Sequence, residues 1–336
     1  MTTSRELVYQ TLEFKNPERV PRQLWTLPWA TLHFPEELAA IRRDFPDDIT
    51  SAPVHLLQEP RLEKGDPYAA GEYIDPWGCR FTNIQPGVIG EVKTPLIADP
   101  EWEDRHRLYI PEELLSFDLE TVNQYCRSSQ CFIMAGGGIQ IFERLQYLRT
   151  SAQFYIDLAS KPAGMFEVIE RIHDFYCRLL RRWCQTEVDA VSFFDDWGAQ
   201  NRLLIHPKTW QAIFKPLYRD YIEIAHHYGK KIFMHSDGYT LAIFPDLIEM
   251  GLDAINAQIF CMGVDKLRSF RGKITFWGEL DRQHLLPYGS LADIDRAVRA
   301  VKEHLWSGGG CIAQCEFGAG AKPENVYQMF KSWQEA

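Results

Sequence analysis

Short apolar runs alternate with longer amphipathic stretches over the last two thirds of the chain. Six of the short runs are candidate strands, covering residues 131–135, 190–194, 231–235, 254–258, 274–278 and 311–315. Between them, helix-like segments cover residues 152–184, 207–228, 241–250 and 291–306. This alternation predicts repeated βαβ units and therefore a parallel sheet.

Two earlier segments, residues 22–25 and 48–54, complete a set of eight candidate strands. Eight such units favour a closed α/β fold, the (β/α)8 TIM barrel, over an open sheet. No GxGxxG motif follows the first strand, which weakens the dinucleotide-binding alternative. The 336 residues would also suit two domains of ~150 residues, but the strand count predicts one barrel over residues 1–336, with an N-terminal helical extension.

Residues 60–110 interrupt this rhythm. They contain the turn-forming strings 75–78 (DPWG), 85–87 (QPG) and 90–93 (GEVK), which predict turns and short antiparallel strands. We interpret the segment as an insertion after the second strand that lies over the barrel mouth like a lid. A surface decoration without a catalytic role is the alternative.

The charge and the apolar composition exclude several classes of protein. The 36 Lys and Arg residues against 46 Asp and Glu give a net charge of −10, which argues against nucleic-acid binding. No apolar window approaches the ~18 residues that a membrane span needs, and the first residues lack the apolar stretch of a signal peptide. The eight cysteines are therefore interpreted as reduced thiols, and we expect a cytoplasmic protein.

Polar residues follow six of the predicted strands, and barrels of this kind build their active sites at the C-terminal strand ends. The third strand runs into glycines 136–138. The polar or acidic residues at these ends are Glu143 after the third strand, Asp195, Asp196, Trp197 and Gln200 after the fourth, His235 and Asp237 at the fifth, Asn256 and Gln258 at the sixth, Glu279 and Asp281 after the seventh, and Cys315 and Glu316 at the eighth. Acidic and polar groups are thus predicted to converge on one rim.

His235 and Asp237 are the sharpest local feature of this rim. Residues at i and i+2 of a strand share a face with Cα atoms ~6.6 Å apart, so both side chains could reach one metal ion or substrate group. Capping of the next helix by Asp237 and a core role for His235 is the alternative. Cys315 could meet His235 across the mouth in a site suited to zinc, completed by Asp237 or another rim carboxylate. Cys311, ~13 Å earlier along the strand, is interpreted as packing.

Asp195 and Asp196 should point to opposite sides of the chain, one into the cavity and one into a loop, with helix capping and a salt bridge as the alternative. The Glu143–Arg144 pair is a weaker candidate, since such pairs usually belong to a solvated helix start. Trp25 and Trp197 lie in aromatic strings that are candidates for a pocket wall or for core.

Several strand-end strings, taken in order, resemble the uroporphyrinogen decarboxylase superfamily. The strings are 195–200 (DDWGAQ), 205–207 (IHP), 214–216 (FKP), 229–231 (GKK), 235–238 (HSDG), 315–319 (CEFGA) and 322–326 (KPENV). The resemblance implies a (β/α)8 barrel and two possible chemistries. True uroporphyrinogen decarboxylase needs no cofactor and carries Arg-Gln-Ala-Gly-Arg near its N-terminus. Here residues 21–29 read PRQLWTLPW, with a single arginine. This region therefore has too few arginines to pair with the many carboxylates of a porphyrinogen.

The other branch of the superfamily comprises corrinoid-dependent methyltransferases, in which zinc activates a thiol or methyl donor and methyl passes to or from a separate corrinoid protein. Its thiol-methylating members have ligands resembling His-x-Cys plus a later Cys. This chain keeps His235 and Cys315 but has Asp237 in place of the first Cys, which leaves Asp237, Asp196, Glu143 and Glu279 as options for the third ligand.

The sequence therefore predicts a zinc-dependent methyltransferase that acts between a small donor or thiol and a corrinoid (cobalamin) protein. The metal ligands would be His235, Cys315 and Asp237; the catalytic residues Asp196, Asp237 and Glu143; and the substrate-binding residues Gln200, Trp197, Gln258 and Trp25. A cofactor-free decarboxylase of a small acid and a non-catalytic binding protein are the alternatives. A homodimer is compatible with the sequence.

Overall fold

The computed structural model describes residues 2–135 and 138–335, so two of the glycines predicted to end the third strand lie outside the described residues. In chain order, the strands of the described part are β1 (Arg22–Thr26), β2 (Ile49–Ser51), β3 (Gly71–Ile74), β4 (Arg80–Asn83), β5 (Glu91–Val92), β6 (Phe132–Met134), β7 (Ala190–Phe194), β8 (Lys231–Ser236), β9 (Ala254–Ala257), β10 (Thr275–Trp277) and β11 (Cys311–Phe317).

The helices in the same part of the chain are α1 (Ser4–Leu12), α2 (Pro28–His33), α3 (Pro35–Asp44), α4 (Leu119–Ser128), α5 (Ile141–Arg149), α6 (Ser151–Ser160), α7 (Ala163–Cys184), α8 (Pro207–His227), α9 (Phe244–Met250), α10 (Ile259–Met262), α11 (Leu285–Tyr288), α12 (Leu291–Leu305) and α13 (Pro323–Glu335). Short 3-10 turns cover Glu103–Arg107, Glu112–Leu115, Leu241–Ile243 and Lys266–Phe270. No helix in the described ranges combines the length and apolar composition that a bilayer crossing requires.

Eight parallel strands form the barrel in the order β1-β11-β10-β9-β8-β7-β6-β2. Across the remaining gap, the backbone N–H of Asp48 donates to the Arg22 carbonyl at 2.9 Å, and Gln23 Nε2 donates to the Ile49 carbonyl at 3.3 Å. These bonds join β1 to β2 and nearly close the sheet. The predicted (β/α)8 barrel is confirmed, and all eight predicted barrel strands are present.

Side chains along β11 alternate between the inside of the barrel and the surrounding helices, as expected for a strand buried on both faces. Ile312 packs inside with Phe132, Phe233 and Trp277. Cys315 packs in a separate core cluster that includes residues of α3, α12 and α13. Val8 and Leu12 of α1 pack into the barrel core from its N-terminal end, which confirms the predicted N-terminal helical extension.

The segment predicted as one helix over residues 152–184 is two helices, α6 and α7. Lys161 adopts a left-handed conformation at φ 56°, and Pro162 then starts the next helix. Proline lacks a backbone N–H and clashes with a preceding helical turn, so the chain ends one helix and begins another here.

The insertion after β2 contains the predicted short antiparallel strands: β3, β4 and β5 pair in that order. It is fastened to α5 by a buried ion pair between Asp75 and Arg144 and by contact of the Phe81 and Tyr147 rings, whose centroids are 5.0 Å apart. Because α5 follows β6, these contacts place the insertion beside the C-terminal mouth of the barrel. A lid movement stays a prediction.

Candidate functional site

Three side chains from neighbouring strand ends meet at the C-terminal mouth. Strand pairing sets Phe194 of β7 opposite His235 of β8, and the loops that follow carry Asp196 and Asp237. Nε2 of His235 lies 3.6 Å from Oδ1 of Asp196 and 3.7 Å from Oδ1 of Asp237. One ligand atom from each residue lies within 4.8 Å of the others, so the three could hold a metal ion.

Close contact between two glycines holds these two loops together. Gly198 approaches Gly238 so closely that a Cβ on Gly198 would lie 2.1 Å from the Tyr239 nitrogen. The Gly198 N–H donates to the Asp237 carbonyl at 3.0 Å, and the Asp237 N–H donates to Asp196 Oδ1 at 2.8 Å. Only glycine fits such an approach. The contact fixes Asp196 and Asp237 beside each other.

Both carboxylates of this cluster are in positions that favour a neighbouring cation. Burial, and then the charge of Asp237, raise the pKa of Asp196. Oδ1 of Asp237 is buried and has no hydrogen-bond partner within the described residues. An unpaired buried oxygen is costly, and it faces His235 Nε2. An imidazole nitrogen with two carboxylate oxygens is a donor set that a divalent ion such as zinc accepts. The residues present therefore fit a metal.

Arg282, which the sequence analysis missed, lies among the acidic residues of the mouth. Its guanidinium is bound to the Asp237 carboxylate, and lies 3.1 Å from Glu279 and 3.2 Å from Glu316. Burial nevertheless raises the pKa of Glu279 well above its usual range. Arg282 stands in the loop after β10, and its only signal in the sequence is that it is a basic residue within an acidic rim.

Glu143 lies on the first turn of α5 and accepts a hydrogen bond from the Tyr147 hydroxyl at 3.1 Å. Burial, together with the negative charge of Asp196, raises the pKa of Glu143 to about 7. A carboxyl group with this pKa holds a proton near neutral pH and can act as an acid or base. The charges of Asp196 and His235 act on Glu143, so the structure places Glu143 near the cluster, and its catalytic role stays a prediction.

The family profile of uroporphyrinogen decarboxylase (URO-D) matches residues 83–336. The chain belongs to the URO-D family. The superfamily membership predicted from the strand-end motifs is thereby confirmed. No curated protein sequence matches the chain.

Among solved structures, a methyltransferase from Methanosarcina mazei superposes on this URO-D family chain with a TM-score of 0.69 and 12% identity, covering 100% of this chain and 99% of that one. A B12-independent methionine synthase from Shewanella sp. W3-18-1 superposes with a TM-score of 0.44 and 11% identity, and the match covers 88% of this chain and 83% of that one. A 3-keto-D-glucoside 4-epimerase from E. coli superposes with a TM-score of 0.41 and 10% identity, and the match covers 65% of this chain and 84% of that one. At these identities the first likeness establishes the shared fold alone.

Cys315 is not with His235 in this URO-D family site, contrary to the expected ligand pair. Alternation along β11 turns Gln314 and Glu316 inward, where they bond Asn256 and Arg282. Cys315 therefore faces the helices and is fully buried among apolar side chains such as Leu24. Burial raises the pKa of its thiol well above the usual range, which disfavours a thiolate.

The two consecutive aspartates do point in opposite directions. Asp195 is buried, and accepts the Tyr218 hydroxyl and the Glu143 backbone N–H, the latter at 2.9 Å. Trp197 is also buried: its ring stacks on Phe142 with centroids 3.9 Å apart, and its Nε1 donates to Tyr218 at 2.8 Å. The structure therefore places Trp197 in the core, and the expectation that it lines the substrate pocket is corrected.

The other predicted substrate-binding residues do lie at the mouth. The Trp25 ring packs 5.3 Å from the His235 ring and 4.9 Å from the Trp277 ring, centroid to centroid, and remains partly exposed. Gln200 and Gln258 line a cleft that Arg282 also borders. Gln258 Oε1 accepts the Gly238 N–H at 3.1 Å. The mouth thus carries two amide side chains beside Arg282 and an aromatic ring beside His235.

Proposed function

We propose that this URO-D family protein is a zinc-dependent methyltransferase that exchanges methyl groups with a corrinoid carried by a partner protein. The observation that carries the metal part is the unpartnered Oδ1 of Asp237, buried and facing Nε2 of His235. The ligands in this proposal are His235, Asp196 and Asp237, with Asp196 replacing the predicted Cys315.

Zinc in this position would supply a Lewis acid that activates the heteroatom of a methyl donor or an acceptor thiol. The chain's own groups would do the rest. Glu143, buried beside Asp196, would donate a proton from its carboxyl group to a departing heteroatom or accept one from an attacking thiol. Trp25 shields one side of the imidazole from water, and Gln258 presents an amide towards the cleft.

The arrangement of arginines supports this proposal over decarboxylation of a polycarboxylate. Arg22 donates to the Pro46 carbonyl and lies over the Phe45 ring, at the end of β1 remote from the mouth. Arg282 is already bound to three carboxylates. A substrate with several carboxylates would find neither guanidinium free, and its desolvation would go uncompensated.

The corrinoid partner and the methyl chemistry rest on the resemblance of the strand-end motifs to a superfamily that includes corrinoid-dependent methyltransferases. Residues 21–29, which lack the Arg-Gln-Ala-Gly-Arg string of the decarboxylase, favour that branch. The fold likeness to a methyltransferase is compatible with this assignment and adds nothing on the substrate. A small aromatic or apolar donor could pack against the Trp25 ring, which lies beside His235.

The proposal is tested by methyl transfer under anaerobic conditions. Zinc-loaded protein is mixed with free cob(I)alamin and, one at a time, an aryl methyl ether, a methyl thioether and a methylamine, and methylcobalamin formation is followed by absorbance. The reverse reaction uses methylcobalamin and a small thiol.

We expect turnover in one of these assays. This turnover should be lost after chelation and in Asp237→Asn, and retained in the matched variant Cys315→Ala. Turnover that survives chelation, or carbon dioxide release from small acids by metal-free protein, would overturn the proposal in favour of the decarboxylase.

A further inference from the structure

A buried asparagine inside the barrel contacts the candidate ligand His235 from behind. Asn256, on β9, is fully buried, and its Oδ1 lies 2.6 Å from Nδ1 of His235. Its Nδ2 donates to the backbone carbonyl of Trp277 and, at 2.9 Å, to Oε1 of Gln314. One side chain thus joins three neighbouring strand ends to the nitrogen of His235 that points away from Asp196 and Asp237.

The backbone carbonyl of Trp277 decides which way the Asn256 amide points. A carbonyl oxygen only accepts, so it requires the NH2 end of the amide. Turning the amide around would set its oxygen against the Trp277 oxygen, so that two acceptors would face each other with no hydrogen between them. Oδ1 of Asn256 must therefore face His235.

An acceptor at Nδ1 fixes the position of the proton on neutral His235. Nδ1 carries the hydrogen and donates it to Asn256, which leaves Nε2 with a lone pair directed at Asp196 and Asp237. The two carboxylates alone would favour the opposite tautomer, in which Nε2 carries the hydrogen and donates to one of them. A hydrogen bond to the second ring nitrogen is how metal-binding histidines are usually oriented.

We propose that Asn256 is a positioning residue that holds His235 as the Nδ1–H tautomer and so presents Nε2 as the metal ligand. The metal half of this inference rests on the proposed function, whereas the tautomer half stands on the hydrogen bonds alone. Neither half assigns Asn256 a contact with substrate.

The tautomer is measured directly by long-range 15N–1H NMR of the imidazole ring in metal-free protein, at a pH where the ring is neutral. The His235 signals are identified by their loss in His235→Ala.

We expect His235 of the wild-type protein to be the Nδ1–H tautomer. In Asn256→Leu, where leucine has a similar volume and no acceptor, the tautomer population of His235 should shift towards Nε2–H. Asn256→Asp keeps an acceptor and should restore the Nδ1–H form. Gln314→Leu, in the same layer but without a contact to His235, is the matched control and should leave the tautomer unchanged. Wild-type Nε2–H would overturn the inference even if no variant folds.

Zinc affinity provides the second readout. Loss of a group that orients a ligand typically costs ~10- to 100-fold in metal affinity, so we expect that weakening in Asn256→Leu and little change in Gln314→Leu. Equal affinity in Asn256→Leu and wild type would overturn the positioning role. An Nδ1–H wild type that binds no zinc would instead refute the proposed function and leave the tautomer assignment intact.

Discussion

Oδ1 of Asp237 lies 3.7 Å from Nε2 of His235, buried and without a hydrogen-bond partner among the residues described. The other oxygen of the same carboxylate is bound to Arg282. One carboxylate thus has an arginine on one side and, on the other, a nitrogen whose lone pair Asn256 directs towards it. Oδ1 of Asp237 is therefore in position to bind a cation together with His235.

Arg282 should stabilise the metal-free protein by offsetting the acidic residues around it. In Arg282→Gln, the carboxylates of Asp237, Glu279 and Glu316 lose their common partner. Because Glu279 is buried while Arg282 is a quarter exposed, we expect a loss of about 2 to 3 kcal/mol in the free energy of unfolding, between the values for exposed and buried pairs. Urea denaturation with chelator present measures it. An unfolding free energy equal to that of wild type would contradict this role.

Glu143 should make the metal-free protein less stable as the pH rises. Its pKa is about 7 in the folded chain against 4.5 in its ordinary state, so between these values the folded chain binds more protons than the unfolded chain. The free energy of unfolding then falls with rising pH in that interval. Glu143→Gln removes the effect while keeping an acceptor for Tyr147. We expect the variant to gain up to about 3 kcal/mol over wild type above pH ~7, and the gain to vanish near pH ~4. A gain that does not depend on pH would refute the shifted pKa.

The two tryptophans predicted to line the pocket should respond differently to truncation. Trp197 is fully buried and Trp25 is partly exposed. We expect Trp197→Ala to cost about 3 to 5 kcal/mol of unfolding free energy through the cavity it leaves. Trp25→Ala should cost less than half as much and should act on substrate KM instead. Denaturant titration of both variants, with steady-state kinetics once a substrate is known, separates the two roles. Equal losses of stability would argue that Trp25 is also core.

The buried ion pair between the insertion and α5 should contribute to the stability of the folded protein. Asp75→Ala leaves the guanidinium of Arg144 buried and unpaired, and we expect a loss of about 3 to 5 kcal/mol. The exposed pair between Glu72 and Arg80 in the same insertion is the matched control. Glu72→Ala should cost less than about 1 kcal/mol. Chemical denaturation compares the two, and similar small losses would show that the buried pair does not anchor the insertion.

The barrel was predictable because strands buried on both faces appear in sequence as short apolar runs, and polar residues at their ends mark the mouth. His235 and Asp237 could also be paired from the sequence, because residues two apart on a strand share a face and Asp237 follows directly after the last residue of β8. Cys315 was misplaced because its side of β11 depends on strand parity: Gln314 and Glu316 face inward, so the residue between them cannot.

Other parts of the site carry no periodic signal. Arg282 lies in a loop, where no repeating pattern indicates the direction of a side chain. Its guanidinium is held by contacts with the carboxylates of Asp237 and Glu316. Trp197 directly follows the rim residue Asp196 in sequence, yet its indole is fully buried next to the tight contact between Gly198 and Gly238. Such positions depend on tertiary contacts that a single sequence does not display.

Binding of a metal by His235, Asp196 and Asp237 can be measured as the zinc content of the protein. Wild type, His235→Ala, Asp237→Ala and Cys315→Ala are reconstituted with zinc, freed of loosely bound metal, and measured by elemental analysis. We expect stoichiometric zinc in wild type and Cys315→Ala, and loss of zinc in His235→Ala and Asp237→Ala. Zinc that persists in His235→Ala, or disappears in Cys315→Ala with the fold intact, would contradict this metal site.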